Sequence, residues 1–155
     1  MKKNIKSRWI AVGLIAIAAI AAIAILVFFL ITYERLPENS HIINQNMMKL
    51  KDDNRSVPFT ELTPFVWDKA YVLDNPFYNG QAIDEIVGVT THLDRLETDH
   101  RRRIVFVNQG KFVYDYIYDF SAFTYKPFGI IELTPSSTIR VLKGTSKALI
   151  IEVKS

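Results

Sequence analysis

Four groups of side chains in this 155-residue chain have types and spacings that could support chemistry. Asp68 lies in the run "TPFVWDKAYVLD", among aromatic and aliphatic neighbours. A carboxylate there is expected to be buried, and a buried charge needs a counter-ion or hydrogen-bond donors. One of Arg101, Arg102 and Arg103 is the expected ion-pair partner, with backbone N–H groups as the other way of satisfying it. As a general base, Asp68 would need a His or a nucleophile at a recognisable spacing, and none is found.

The second group is "THLDRLETDH", which holds His92, Asp94, Glu97, Asp99 and His100. A metal centre needs such ligands to converge on one point. On a helix, Asp94 would sit roughly 160° around from His92, so the spacing fits no standard zinc pattern and a solvated polar connection is expected. "RRR" at 101–103 could attract acidic partners or lipid headgroups, but Asp94, Glu97 and Asp99 stand beside it and blunt the local field. The fourth group is Phe112, Tyr114, Tyr116 and Tyr118, which alternate along one strand and should share a face. Tyr114, Tyr116 and Tyr118 are candidates for a partner-binding surface, since flat rings give large contact area at low entropy cost. The same stripe is also what a strand buries against a helix, the 83–87 segment being the candidate cover.

No G-x-S-x-G, S-x-x-K, H-E-x-x-H, glycine-rich phosphate loop or Cys–His arrangement occurs, and there is no cysteine at all. The expectation is a non-enzymatic protein with no metal and no cofactor. Without disulfides, its folded part must rest on a hydrophobic core.

The elements that position these groups begin with a membrane anchor. Residues 10–31 contain no charge, and only Gly13 among them is outside the apolar set. At about 1.5 Å per residue, a helix of that length reaches roughly 33 Å, enough for a hydrocarbon core of about 30 Å. Trp9 and Tyr33 bracket it as membrane-interface aromatics. Lys2, Lys3, Lys6 and Arg8 precede it, so the N-terminus is expected in the cytoplasm and the rest outside, in a single-pass plasma-membrane protein. The run is longer than a signal-peptide core and ends in "FFLITYERL" with no small-residue cleavage site, which favours an uncleaved anchor. Removing the four N-terminal basic residues leaves 15 Lys and Arg against 16 Asp and Glu, so nucleic acid is not an expected partner. Ala18 and Ala22 form a small-xxx-small pair that could support a homo-oligomer, a weak signal in so Ala-rich a span.

The expected organisation is a basic tail at 1–9, a transmembrane helix at 10–31, a stalk or linker at 32–58, and an extracytoplasmic α+β domain at 59–155. Within the stalk, Ser40 could cap a short helix carrying Ile43, Met47 and Leu50 at i, i+4 and i+7. Residues 65–74 read as an internal strand with Phe65, Trp67, Tyr71 and Leu73 on one face and Val66, Ala70 and Val72 on the other. Asn79 should cap a helix whose Ile83, Ile86 and Val87 share a face, with Gly88 at its stop. Residues 89–100 read as helix, strand or loop, with Thr91 and Asp94 spaced as a capping box. "RIVFV" and "KFVYDYIYD" form strands joined through Asn108, Gln109 and Gly110, and "FGIIEL", "STIRVL" and "KALIIEV" follow. About six strands and one or two short helices indicate an α+β domain with a mainly antiparallel sheet.

The segments "WDKAYVLDNPF", "AIDEIVG" and "IVFVNQGKFVYDY" resemble small membrane-anchored proteins and lipoproteins of the Gram-positive cell envelope. Their pattern runs W-D-K-V-Y…P-Y, a short helix ending in Gly, then L-V-F-V-x-D-G-K-V. Here Ala70 stands for Val, "NPFY" for P-Y and Gln109 for Asp. The resemblance covers about a third of the chain and implies location and fold, with no activity attached. The expected function is that of an anchored module binding a protein partner in the cell envelope. A domain sensing a small ligand or peptide through strand 112–118 is the alternative.

Overall fold

The computed structural model describes Ile20, Ala22, Ile23, residues 39–144 and residues 147–154. The chain divides into two units, Met1–Glu38 and Asn39–Ser155. In the first, the three described residues are helical, and Ile20 and Ile23 are exposed. Trp9, Tyr33 and most of the apolar run at 10–31 lie outside the described residues. Among the described residues no helix is long and apolar enough to cross a membrane.

The second unit is α+β, and its local elements follow from turn and cap chemistry. Asn79 caps α2 (Gly80–Val87), its side chain accepting from the Ala82 N–H at 2.9 Å, and Gly88 ends the helix in the left-handed conformation at φ 78°. β3 (Arg101–Asn108) and β4 (Lys111–Asp119) pair through a two-residue turn, with Asn108 opposite Lys111. Both turn residues have positive φ, Gln109 at 50° and Gly110 at 69°, as a twist-matched hairpin turn requires.

Beyond these, the chain forms a helix over residues 39–50 (α1), then β1 (Ser56–Pro58), a 3₁₀ turn at Phe59–Leu62 and β2 (Lys69–Leu73). After β4 come β5 (Phe123–Lys126), β6 (Ile131–Leu133), β7 (Thr138–Lys143) and β8 (Leu149–Lys154). The strands build two four-stranded sheets, β1-β7-β8-β5 and β4-β3-β2-β6. Neighbours run antiparallel except β5 and β8, which are parallel. One core joins both sheets and α1, and centres on Phe59, Trp67, Phe106, Tyr116, Ile139 and Ile151. A second lies on the opposite face of β2 and β3, where Tyr71, Leu73, Val105 and Val107 meet Ile83 and Val87 of α2.

Several expectations need correction. Residues 39–58 are not a stalk: Ile43, Met47, Leu50 and Val57 are all buried, and β1 pairs with β7 through Val57 opposite Ile139. The i, i+4, i+7 spacing marked a core-facing helix. Ser40 is already helical, and its hydroxyl meets the Tyr114 hydroxyl at 2.6 Å. The second strand starts at Lys69, not at residue 65, so Trp67 does not share the face of Tyr71. Trp67 sits with Ala70 and Val72 in the first core, where its indole N–H donates to Thr63 Oγ1 at 2.9 Å. Residues 89–100 are loop, and the Thr91 hydroxyl and N–H bond Asp84 rather than forming a box with Asp94. These two donors hold the Asp84 carboxyl below its ordinary range.

The α2 N-terminus packs tightly on that loop. A Cβ on Gly80 would meet the Leu93 carbonyl oxygen at 2.5 Å, and backbone cannot swing away. Gly80→Ala is expected to lower stability by about 1–3 kcal/mol in chemical denaturation, although Ala is the better helix former. A neutral result would show that the loop yields freely.

Candidate functional site

The tyrosine stripe is core, and a partner-binding surface at Tyr114, Tyr116 and Tyr118 is not what the fold presents. All three rings are buried, with exposures of 4, 0 and 5 %. The cover is α1 and not the 83–87 helix: the Tyr116 hydroxyl donates to Asn44 Oδ1, and the Tyr125 hydroxyl contacts Met47 Sδ at 3.6 Å. Tyr116 and Tyr118 stack at 5.7 Å, and burial pushes both hydroxyls well above the ordinary tyrosine range. Phe112 leaves the stripe altogether. Phe106 opposes Tyr114 while Val107 opposes Phe112, so Val113 is an extra residue and the alternation slips there. Phe112 therefore packs in the second core, beneath α2.

Asp68 is exposed and pairs with none of Arg101, Arg102 or Arg103. Its carboxylate accepts the Gln109 N–H at 2.7 Å, and its own N–H donates to the Val107 carbonyl at 2.9 Å. It thus ties the hairpin turn to the entry of β2, and the alternative of bonds to backbone N–H groups is the arrangement found. The three arginines have separate roles. Arg103 is buried 3.7 Å from Asp115, an acid the sequence pattern did not single out. Arg102 lies over the Phe120 ring at 4.7 Å and donates to the Asp99 and Arg101 carbonyls. Arg101 is exposed and stands opposite Asp119 in register.

Asp115 has two unusual properties. Burial raises its carboxyl to about 6 despite the opposing pull of Arg103, and its Oδ1 has no hydrogen-bond partner, nor has Arg103 Nη1. The separation explains both: 3.7 Å allows attraction but exceeds a hydrogen bond. Asp115 also sits mid-strand in β4, which has no partner strand on its outer edge among the described residues. A bulge and a charge turned toward the protein are both devices that deter strand addition at such an edge.

A groove opens at the start of β3. Arg95, Leu96, Glu97, Thr98, His100 and Arg101 line a cavity of about 370 Å³. Its walls are held by backbone bonds: the Leu96 N–H donates to the Pro76 carbonyl and the Phe120 N–H to the His100 carbonyl, each at 2.8 Å. His92 (φ 58°) and Asp94 lie outside the lining, and Asp99 approaches His100 at 3.9 Å from an exposed position. Among the described residues, no three His, Asp or Glu side chains converge as metal ligands would. The sequence marked His100, Glu97 and Arg101, but nothing in its spacing distinguished Arg95 or Thr98, which are brought together only by the path of the loop. Comparison with protein-family models, curated proteins and solved structures gives no match for this chain.

Proposed function

We propose that this chain is a single-pass membrane protein whose 39–155 domain lies outside the cytoplasm and binds a protein partner in the cell envelope. The observation carrying this reading is the uncharged run at 10–31, preceded by four basic residues and followed by a domain with its own core. Ile20 and Ile23 support it, being helical with 68 and 60 % of their surface exposed, which suits an apolar surrounding better than water. The resemblance of 67–119 to anchored envelope proteins points the same way. The alternative that strand 112–118 recognises a ligand loses its surface, because its tyrosines are covered by α1. Exposed Val66, Phe77, Phe128 and Ile130 are apolar side chains available to a protein partner.

The lack of cysteine makes the topology simple to test. Single Lys3→Cys and Lys154→Cys variants are treated in intact cells with a membrane-impermeant maleimide. The expected result is labelling at Lys154→Cys alone, with the protein retained in membranes after alkaline carbonate extraction. Release by carbonate, or labelling at Lys3→Cys alone, would overturn the assignment.

A further inference from the structure

We infer that the open edge of β6 pairs antiparallel with β6 of a second copy of this chain, joining two domains across a two-fold axis. The four sheet edges differ in how they meet water. β1 ends in Pro58, β5 ends in Lys126 and is followed by Pro127, and β4 carries the extra residue Val113 and the inward charge of Asp115. Each of these deters strand addition. β6 has β2 on one side and no strand on the other among the described residues, and it contains no Pro, Lys or bulge. It is only three residues long, so the contact is weak in dilute solution and depends on confinement. The anchor of the proposed function supplies that confinement by holding copies in one membrane at high effective concentration, and to that extent the pairing rests on the membrane reading.

The side chains of this edge suit a copy of itself. Ile131 and Leu133 turn into the first core, so Ile130 and Glu132 lie on the α2 side of the sheet, and both are exposed. Val72 stands opposite Ile131, which puts Ile130 in line with Leu73, a buried member of the second core. That core therefore continues past β2 into an uncovered apolar margin, with Ile130 48 % and Phe128 67 % exposed. A two-fold axis perpendicular to the sheet keeps like faces together, so the margins of the two copies meet on one side and cover each other. Charge decides the register. With Ile131 on the axis, Ile130 stands opposite Glu132 of the other copy, whereas Glu132 on the axis would oppose two like charges directly. Glu132 keeps Lys69 of its own chain as counter-ion at 3.3 Å.

The test uses the full chain in cell membranes, where the lack of native cysteine makes engineered pairs unambiguous. Differently tagged Ile130→Cys and Glu132→Cys copies are co-expressed and oxidised. A mixed disulfide dimer is expected, because facing residues of a paired ladder have Cα atoms about 4.5–5.5 Å apart, within disulfide range. Lys111→Cys with Asp119→Cys, which pairing through the β4 edge would join, should give none. In phosphatidylcholine vesicles, energy transfer between copies labelled at Lys154→Cys reads the same association. Ile130→Glu, at an exposed position, should weaken it about tenfold by setting a carboxylate against Glu132 in both halves, with melting unchanged. No mixed disulfide in a protein that carbonate leaves in the membrane, an equal yield from the β4 pair, a disulfide to another protein instead, or energy transfer indifferent to Ile130→Glu would each overturn the pairing. Release by carbonate would overturn the membrane reading instead. Sedimentation of the concentrated protein would then decide the pairing, a dimer lost in Ile130→Glu upholding it and a monomer throughout overturning it.

Discussion

A chain beginning at Phe59 will not fold, whereas one beginning at Asn39 will unfold in a single cooperative transition. Residues 39–58 contribute Ile43, Met47, Leu50 and Val57, with exposures of 0, 0, 5 and 2 %. Burial of a large aliphatic side chain contributes about 1.5–3 kcal/mol, so four of them amount to roughly 6–12 kcal/mol. A domain of this size has a total stability of about 5–15 kcal/mol, so their removal consumes most or all of it. The loss is not confined to area. Without α1, the Tyr114, Tyr116 and Tyr125 hydroxyls face a gap, and without β1 the edge of β7 is bare. Thermal melts by circular dichroism on the two chains decide the matter. A cooperative melt of the 59–155 chain within a few degrees of the longer one would show that α1 is an accessory. Met47→Ala in the intact protein is the milder version, with an expected cost of about 2–5 kcal/mol.

Arg103→Met is expected to destabilise the protein by about 3–5 kcal/mol at pH 8 and by clearly less at pH 5, while Arg103→Met/Asp115→Leu restores stability or exceeds it. Both side chains are nearly buried, at 6 and 13 % exposure, and their 3.7 Å contact lacks a hydrogen bond. Such a pair recovers little of its desolvation cost, yet removing one partner strands the other charge. The pH dependence follows from Asp115, whose carboxyl is raised from 3.8 to about 6 by burial. A raised acid binds its proton more tightly in the folded state than in the unfolded chain. Its contribution is therefore fully present below pH 3.8 and lost as pH rises through about 6, a change of about 3 kcal/mol. Without Arg103 the carboxyl moves higher still, so a modest fall in pH neutralises it and relieves the variant. The carboxyls of Asp84 and Asp119 are lowered by Thr91 and Ser121 and act in the opposite sense at lower pH. The comparison must then be the difference between variant and parent at each pH. Denaturant titrations at pH 5 and pH 8 give it. A cost that is equal at both values, or a double variant as weak as the single, would show that the pair is a net stabilising bridge.

The parts of this protein readable from sequence are those whose causes lie within a few residues. Asn79 and Gly88 bound α2 because a side-chain acceptor and a left-handed C-terminal residue act on the adjacent turn. Gln109 and Gly110 form the hairpin turn because two positive φ values are affordable there. Apolar spacing in 40–50 marked a helix, and the apolar run at 104–107 and the alternation in 114–118 marked strands. The uncharged run at 10–31 likewise follows from composition alone. The α+β class needed no more than these.

What tertiary structure decided were the questions of which face meets what. A single extra residue, Val113, sends Phe112 to the α2 side and leaves Tyr114, Tyr116 and Tyr118 under α1, and no local propensity announces a bulge in so uniform a strand. The polar composition of 32–58 reads as a stalk because only one stripe of a helix needs to be apolar, and the surface that buries that stripe comes from strands far along the chain, with Ser40, Asn44 and Met47 meeting tyrosines 74, 72 and 78 residues later. β1 and β5 are strands of three and four residues, too short for a period and sustained by partners β7 and β8 distant in sequence. Asp68 and Asp115 both sit among apolar neighbours in the sequence. The first ends on the surface and the second inside, because β2 begins only at Lys69 while β4 runs on through Asp115, and burial belongs to the assembled sheet and not to the residue.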